Sequence, residues 1–417
     1  MNRPKILLLS PFFHPENIST GKYNTVLAQA LARAGAEVEV LASHPFYPAW
    51  KPLHSDARLD GVSIIRGGAW IRYPSIIILR RLVFEAWYAL YVWWNVRKRR
   101  LNPDVVIAVF PPVLFFSVGH LFSDGCRKIG IVHDFQSILG LAGGNVVSRL
   151  MRYLVRKMES HAFQRCHRLV LLSQSMARVA QTEYGIAERC TQVAYPFVTL
   201  INQREVSQNL VSMFAEECQH VVYSGALGTK QNPLALFEFF RVAAARLPGV
   251  RFHIFSDGPV FEKICRMYSD NAAPIVALHK LVPDPDLPEL YARSSVQVIP
   301  QAQGTSDACL PSKLPNILAA GCAVFAICEQ GSELSEIVTK CAGVAVSEWD
   351  VEILVTRLAE LLTRVKREDS RARQARVSRL LEAEFSVDTL LRTVLDASDQ
   401  APDQNRWGIG VAQASNL

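Results

Sequence analysis

Lys313 and Lys230 are the side chains whose settings best suit chemistry on an anion. Lys313 ends the stretch Asp307-Ala308-Cys309-Leu310-Pro311-Ser312-Lys313, after an apolar run (Val296 to Pro300) and a polar loop (Gln301 to Ser306). Leu314 to Ala320 continue it and Gly321 closes it. This pattern predicts a short helix with Ser312 as N-cap, Pro315 in the first turn where a missing N–H matters least, and Gly321 as the stop. Free backbone N–H groups at that start, with Lys313 beside them, make an anion site suited to a diphosphate. A surface helix that merely begins Ser-Lys has the same letters.

Other residues point to the same chemistry. Ser224-Gly225-Ala226-Leu227-Gly228-Thr229-Lys230 falls between a strand and a helix, where Gly225 and Gly228 let backbone amides approach a phosphate and Lys230 adds charge. Asp257-Gly258-Pro259 follows the next strand and is expected at the same crevice, although a tight turn reads identically. Gly331-Ser332-Glu333 brings a carboxylate near that edge, as an isolated surface Glu also would. In the first half, His133-Asp134 ends a strand and can orient a substrate hydroxyl, or is a structural pair. The Gly21-Lys22 loop is expected to face the diphosphate from the other side, unless it is an ordinary helix start. Tyr47 and Trp50 can stack on a ligand ring, or pack a loop on the core.

These residues need a scaffold. Ile6 to Ser10, a polar loop through Gly21, a helix from about Lys22 to Arg33 and a strand Glu37 to Ala42 make a βαβ unit. Strands Val105 to Phe110, Ile129 to His133 and Leu169 to Leu172 extend it into a Rossmann-like parallel sheet. The pattern breaks near Ala194 to Val198, where the boundary is placed: residues 1–198 form the first domain. Residues 199–397 form a second α/β domain, with strands from His220, Arg251, Ile275, Val296 and Ala323, a helix Leu234 to Leu247 and a helical stretch Glu352 to Leu395. The last helix is expected to return to the first domain, and 398–417 to be a disordered tail. The fold class is α/β: two Rossmann-like domains facing a cleft, with parallel sheets and helices on both faces.

The chain has 417 residues, 50% hydrophobic and 20% charged, which excludes a disordered protein, and a net charge of +7, which favours anionic partners. No aromatic-rich basic platform or zinc knuckle accompanies the basic runs, so nucleic acid is not an expected partner. Nine cysteines without CxxC spacing read as reduced thiols of a cytosolic protein, and no secretory leader is expected. Residues 76–100 are the greasiest part: Ile76-Ile77-Ile78-Leu79, then Leu82 to Trp94 with five aromatic residues from Trp87 to Trp94, then four basic residues from Arg97. Leu82 to Trp94 is too short to span a bilayer, which needs roughly 20 apolar residues. A helix in the headgroup plane, or an aromatic helix in the core or a dimer contact, fits it.

In this order these motifs resemble the family 4 glycosyltransferases of the two-domain GT-B fold, in particular the colanic-acid branch that builds bacterial exopolysaccharide or O-antigen units. The resemblance spans roughly residues 3 to 396. It rests on Pro11 to Tyr23, Pro45-Phe46-Tyr47-Pro48-Ala49-Trp50, His133-Asp134-Phe135, Tyr223-Ser224-Gly225 with Lys230-Gln231, and Asp307 to Lys313 with Asn316-Ile317-Leu318-Ala319. It implies retaining transfer from a nucleoside-diphosphate sugar, without metal or other cofactor, to a glycan acceptor often carried on polyprenyl diphosphate. The enzyme would be peripheral on the inner face of the bacterial plasma membrane. Donor residues would be Gly21, Gly225, Gly228, Lys230, Gly258, Asp307, Ser312, Lys313, Asn316 and Glu333. Acceptor residues would be Lys22, Tyr47 and Trp50, and catalytic residues His133, Asp134, Lys230 and Lys313. The wider family carries a Glu-x7-Glu pair where this chain has Ala308 and Asn316; Asn316 can still bond a donor hydroxyl, and Asp307 can substitute for the lost carboxylate. The family's glycine-loop arginine falls near Ala226, leaving Lys230 to act with Lys313. A GT-B subunit without activity, binding nucleotide sugar or scaffolding an assembly, and a nucleotide-sugar epimerase are the other readings.

Overall fold

The computed structural model describes residues 3–16, 18–47, 49–117, 121–123, 125–139, 146–200, 208–214, 217–268, 275–306 and 310–395. Asp307, Ala308 and the expected disordered tail lie outside these residues.

Runs of apolar, β-branched residues form two sheets. The first contains β1 (Lys5–Leu9), β2 (Glu37–Ser43), β3 (Val62–Gly67), β4 (Val105–Phe110), β5 (Arg127–Val132), β6 (Arg168–Leu171) and β7 (Thr191–Val193), in the order β3-β2-β1-β4-β5-β6-β7. The second contains β8 (Gln219–Ser224), β9 (Val250–Ser256), β10 (Val276–Lys280), β11 (Val296–Pro300), β12 (Ala323–Ile327) and β13 (Val344–Val346), in the order β10-β9-β8-β11-β12-β13. All these pairings are parallel. Strand order reverses between β1 and β4 and between β8 and β11, and crevices at the C-terminal ends of such seams are where open α/β sheets bind ligands. The three strands that sequence reading misses, β3, β7 and β13, lie at sheet edges. β7 and β13 have three residues each, and β3 mixes Ser63 and Arg66 into its apolar run.

Helices cover both faces of each sheet. On one face of the first sheet, Tyr88, Val92 and Val96 of helix Ile77–Lys98 pack with Ala162 and Phe163 of helix Val146–Gln164 and Met176 and Ala180 of helix Gln174–Tyr184. On the other face lie Leu27 and Leu31 of helix Ser19–Arg33, joined by Leu390 and Val394 of the last helix, Val387–Leu395. Arg127 donates to the Thr393 carbonyl at 2.9 Å, tying that returning helix to β5. The long helical stretch expected from Glu352 to Leu395 is three helices, Val351–Arg367, Ser370–Glu384 and Val387–Leu395. The chain turns between the last two at Phe385, which is buried and accepts the Val198 N–H at 3.3 Å.

The aromatic segment divides by face rather than acting as one surface. Tyr88 is wholly buried and donates to the Leu41 carbonyl at 2.8 Å, while Tyr91 donates to that of Ile65 at 2.8 Å. Glu85 is also buried, where its carboxylate accepts the Val113 and Leu114 N–H groups, each at 2.9 Å. Exposed Ile78, Leu82, Ala86, Leu90, Trp93, Trp94 and Arg97 fall at helical spacing on the opposite stripe. Among the described residues no helix is long and apolar enough to cross a membrane.

Close approach to β3 sets this helix's position. A Cβ on Gly67 would lie 2.4 Å from the Tyr91 ring, so only glycine allows the contact. Gly67→Ala is expected to destabilise the protein by about 1–3 kcal/mol through overpacking, read as a lower denaturation midpoint.

Candidate active site

The site is assembled at the β8–β11 seam. Lys313 Nζ donates to the carbonyls of Ser224 (3.1 Å), the last residue of β8, and Val298 (3.4 Å), within β11. It lies 4.2 Å from the Tyr223 ring centroid. Among the described residues no carboxylate pairs with it. Desolvation lowers its pKa from the ordinary lysine value to about 7. The Tyr223 hydroxyl donates to the Ala226 carbonyl at 2.7 Å, so one buried ring supports both the lysine and the glycine loop. Sequence reading assigns Tyr223 no role, although a tyrosine near the end of a buried strand needs a polar partner for its hydroxyl, a signal that could have found it.

The local structure corrects the expected helix-start site. The helix is Leu314–Ala319, six residues long, with Lys313 rather than Ser312 at the N-cap and no side-chain cap. The Leu314 N–H already donates to the Pro311 carbonyl at 3.0 Å, and Pro315 has no N–H. Lys313 therefore acts as a desolvated ammonium over the seam, not as an adjunct to free amides. Ser312 contributes its carbonyl, which accepts the Tyr23 hydroxyl at 2.8 Å across the cleft.

The glycine loop is corrected similarly. The Gly225 N–H donates to the Phe255 carbonyl (3.0 Å) and the Gly228 N–H to Gln231 Oε1 (2.9 Å), so neither is free for a phosphate. Gly225 instead supplies a φ of +146°, strained for any other residue, which turns the chain beside Lys313. At the end of β9, the Gly258 N–H donates to Asp257 Oδ1 (2.8 Å), which also accepts Lys280 Nζ (3.1 Å), closing that turn on itself.

The opposite wall comes from the first domain. Asp134, two residues beyond β5, pairs with Lys230 Nζ at 3.5 Å across the cleft. Desolvation raises the Asp134 pKa, and Lys230 opposes the rise. Beside it, His133 Nε2 is buried without a hydrogen-bond partner among the described residues. Desolvation lowers the His133 pKa to about 4, so the ring is neutral near pH 7. An orphan ring nitrogen at a cleft is costly unless a ligand completes it.

Lys22 and Gly21 lie inside helix Ser19–Arg33, which begins three residues before the expected start at Lys22. Lys22 forms an ion pair with Asp284 of the second domain, and neither side chain is fully exposed. Tyr23 and Asp284 are thus site-wall residues that motif reading assigns no role, because their partners lie hundreds of residues away in the chain.

Two expected donor residues bind protein instead. Asn316 Oδ1 accepts the Thr199 N–H at 2.8 Å and its Nδ2 donates to Thr199 Oγ1 at 3.1 Å, so the amide clamps the interdomain connection. Glu333 reaches across to helix Gln174–Tyr184, accepting the Gln174 and Ser175 N–H groups at 2.9 and 3.3 Å. A carboxylate at a helix N-terminus is well matched to the orphan donors there. Tyr47 is exposed, whereas Trp50 is half-buried in an aromatic cluster with Phe46, Tyr73 and Phe84. Among the described residues no three His, Cys, Asp or Glu side chains are grouped to hold a metal ion.

Similarity to known proteins agrees with this architecture. Residues 20–200 match the family described as Glycosyltransferase Family 4, and residues 218–364 match Glycosyl transferases group 1. The chain is 27% identical over 391 residues to an Escherichia coli K12 protein that carries the name colanic acid biosynthesis glycosyl transferase WcaI, covering 86% of this chain and 92% of that one. Among solved structures, sucrose-phosphate synthase of Thermosynechococcus elongatus aligns with a TM-score of 0.66 at 14% identity, over 95% of this chain and 100% of that one. WaaG, a glycosyltransferase involved in lipopolysaccharide biosynthesis, aligns with a TM-score of 0.64 at 14% identity, over 94% and 99% of the two chains. These two likenesses bear on the fold. The chain belongs to the family 4 glycosyltransferases with the GT-B fold, and it is an enzyme that transfers glycosyl groups.

Proposed function

We propose that this enzyme transfers a sugar from a nucleoside-diphosphate donor, with retention and without a metal, to a lipid-linked glycan in bacterial exopolysaccharide or lipopolysaccharide assembly. The observation that carries the donor reading is Lys313, a desolvated ammonium over the β8–β11 seam that among the described residues meets only neutral acceptors. A diphosphate entering beside Gly225 meets Lys313 and can draw Lys230 from Asp134. As the anomeric C–O bond breaks, its electron pair goes to the diphosphate oxygen, where preorganised cations stabilise the charge. The acceptor hydroxyl attacks from the same face, forming the new C–O bond, and its proton passes to the departing diphosphate. His133 Nε2 is placed to bond a donor-sugar hydroxyl.

The biosynthetic setting follows from the names of WcaI and WaaG. The membrane setting rests on the exposed stripe of helix Ile77–Lys98, which ends in Trp93 and Trp94 with Arg97 and Lys98 over their rings at 4.9 and 5.8 Å. Such a stripe suits an in-plane helix on an anionic bilayer surface. The test is incubation of the purified enzyme with bacterial membranes and a panel of radiolabelled nucleotide sugars. One donor is expected to label the lipid-extractable fraction. Donor binding with neither hydrolysis nor transfer would instead support a non-catalytic subunit, a reading favoured only by the engagement of Asn316 with Thr199.

A further inference from the structure

One surface of the first domain carries three kinds of chemistry side by side. Glu16 accepts the N–H groups of Phe46 (3.0 Å) and Tyr47, anchoring the loop after β2. That loop ends at Trp50, whose φ of +55° is strained for so bulky a residue; such strain persists where surrounding structure enforces it, commonly at ligand sites. Its ring lies 5.3 Å from Tyr73 and 5.2 Å from Phe46. The Arg80 guanidinium carbon sits 4.5 Å from the Trp50 ring centroid, and among the described residues Arg80 forms no ion pair. Ile76 and Ile77, four and three residues before Arg80 and so beside it at helical spacing, are 65% and 71% exposed.

Aromatic rings, a guanidinium and an aliphatic ridge therefore follow one another along the surface. That order matches a glycan, a phosphate and a hydrocarbon chain joined in a single amphiphile. Stacking on Trp50 holds the Arg80 guanidinium in place, and among the described residues nothing accepts its side-chain N–H groups, which leaves them for phosphate oxygens, the geometry in which arginine outperforms lysine. Arg97, at the far end of the same helix, is about 26 Å away along the axis and cannot serve this group.

We propose that Arg80, Trp50 and the Ile76–Ile77 ridge form a subsite for the phosphate-bearing head of a prenyl-type lipid carrying the acceptor glycan. Arg80 takes the phosphate, the ridge takes the first hydrocarbon units, and Trp50 with Tyr47 takes the proximal sugar. This rests on the lipid-linked acceptor reading above, and adds to general membrane attachment a site that selects the acceptor molecule.

Calorimetry on the full chain tests it with farnesyl diphosphate, farnesol and inorganic diphosphate as probes. Farnesyl diphosphate is expected to bind at least about tenfold more tightly than either fragment, and Arg80→Gln to weaken it by about tenfold, the loss expected for one charge-assisted phosphate contact. Ile76→Ser, at an exposed position that cannot unfold the core, should weaken farnesyl diphosphate but not inorganic diphosphate. Sedimentation of Arg80→Gln with anionic vesicles should equal that of wild type. Unchanged farnesyl diphosphate affinity in Arg80→Gln, or inorganic diphosphate binding as tightly as farnesyl diphosphate, overturns the subsite. Failure of the underlying reading shows separately, as wild-type protein that neither sediments with vesicles nor transfers sugar to lipid.

Discussion

Lys313→Met is expected to lower sugar transfer by about 10²–10³-fold, the loss typical of removing one preorganised group that stabilises transition-state charge. Methionine keeps most of the length and apolar volume of the side chain beside Tyr223 but removes the ammonium that bonds the Ser224 and Val298 carbonyls. The fold should not suffer. Among the described residues no carboxylate holds Lys313, and replacing a desolvated charge by an apolar group of similar volume is commonly neutral or stabilising. Transfer rate and melting temperature should therefore move independently, the first falling steeply and the second staying level or rising. Parallel losses of both would make Lys313 a structural residue.

Donor binding is expected to take up a proton. Desolvation holds the Lys313 pKa at about 7 in the free protein, and a bound diphosphate must raise it by favouring the ammonium. Between these two values the affinity for a nucleoside diphosphate should fall by up to about tenfold per pH unit as pH rises. Calorimetry at about pH 8 in buffers of different ionisation enthalpy should register close to one proton bound per diphosphate. Lys313→Met should register none. The same pKa has a stability consequence of fixed sign. The unfolded chain holds the lysine proton more tightly than the folded one, so this group's contribution to stability increases as pH rises from about 7 toward the ordinary lysine value.

Much of the scaffold was legible because buried parallel strands read as continuous apolar runs, as Lys5–Leu9, Val105–Phe110 and Ala323–Ile327 do. Three of the four edge strands were not: β7 (Thr-Gln-Val), for one, has only three half-buried residues with which to signal itself. At the candidate site, Lys313 and Lys230 stand out in the sequence by type and by position after strands. The means by which Lys313 is held does not. Short range suggested a capped helix, but Pro311 takes the first N–H and the lysine folds back over β8, 89 residues earlier. The protein partners of Asn316 and Glu333 were hidden for a related reason: an amide or carboxylate serves a ligand or the opposite domain equally well in sequence. Only the tertiary partners, Thr199 and the Gln174–Tyr184 helix start, distinguish them. The aromatic helix held two truths at once, because period 3.6 sends Tyr88 and Val92 to the core while Leu90 and Trp94 face outward.

The claim on which the rest depends is that the β8–β11 seam grips a nucleoside diphosphate through Lys313. A thermal-shift panel of nucleoside diphosphates and their sugars on wild type and Lys313→Met measures this directly, since a ligand bound only by the folded state stabilises it by about 2.7 kcal/mol at a hundred times its Kd. The prediction is that at least one nucleoside diphosphate raises the wild-type melting temperature and leaves that of Lys313→Met unmoved. Equal stabilisation of both proteins, or none of wild type by any member of the panel, would contradict it.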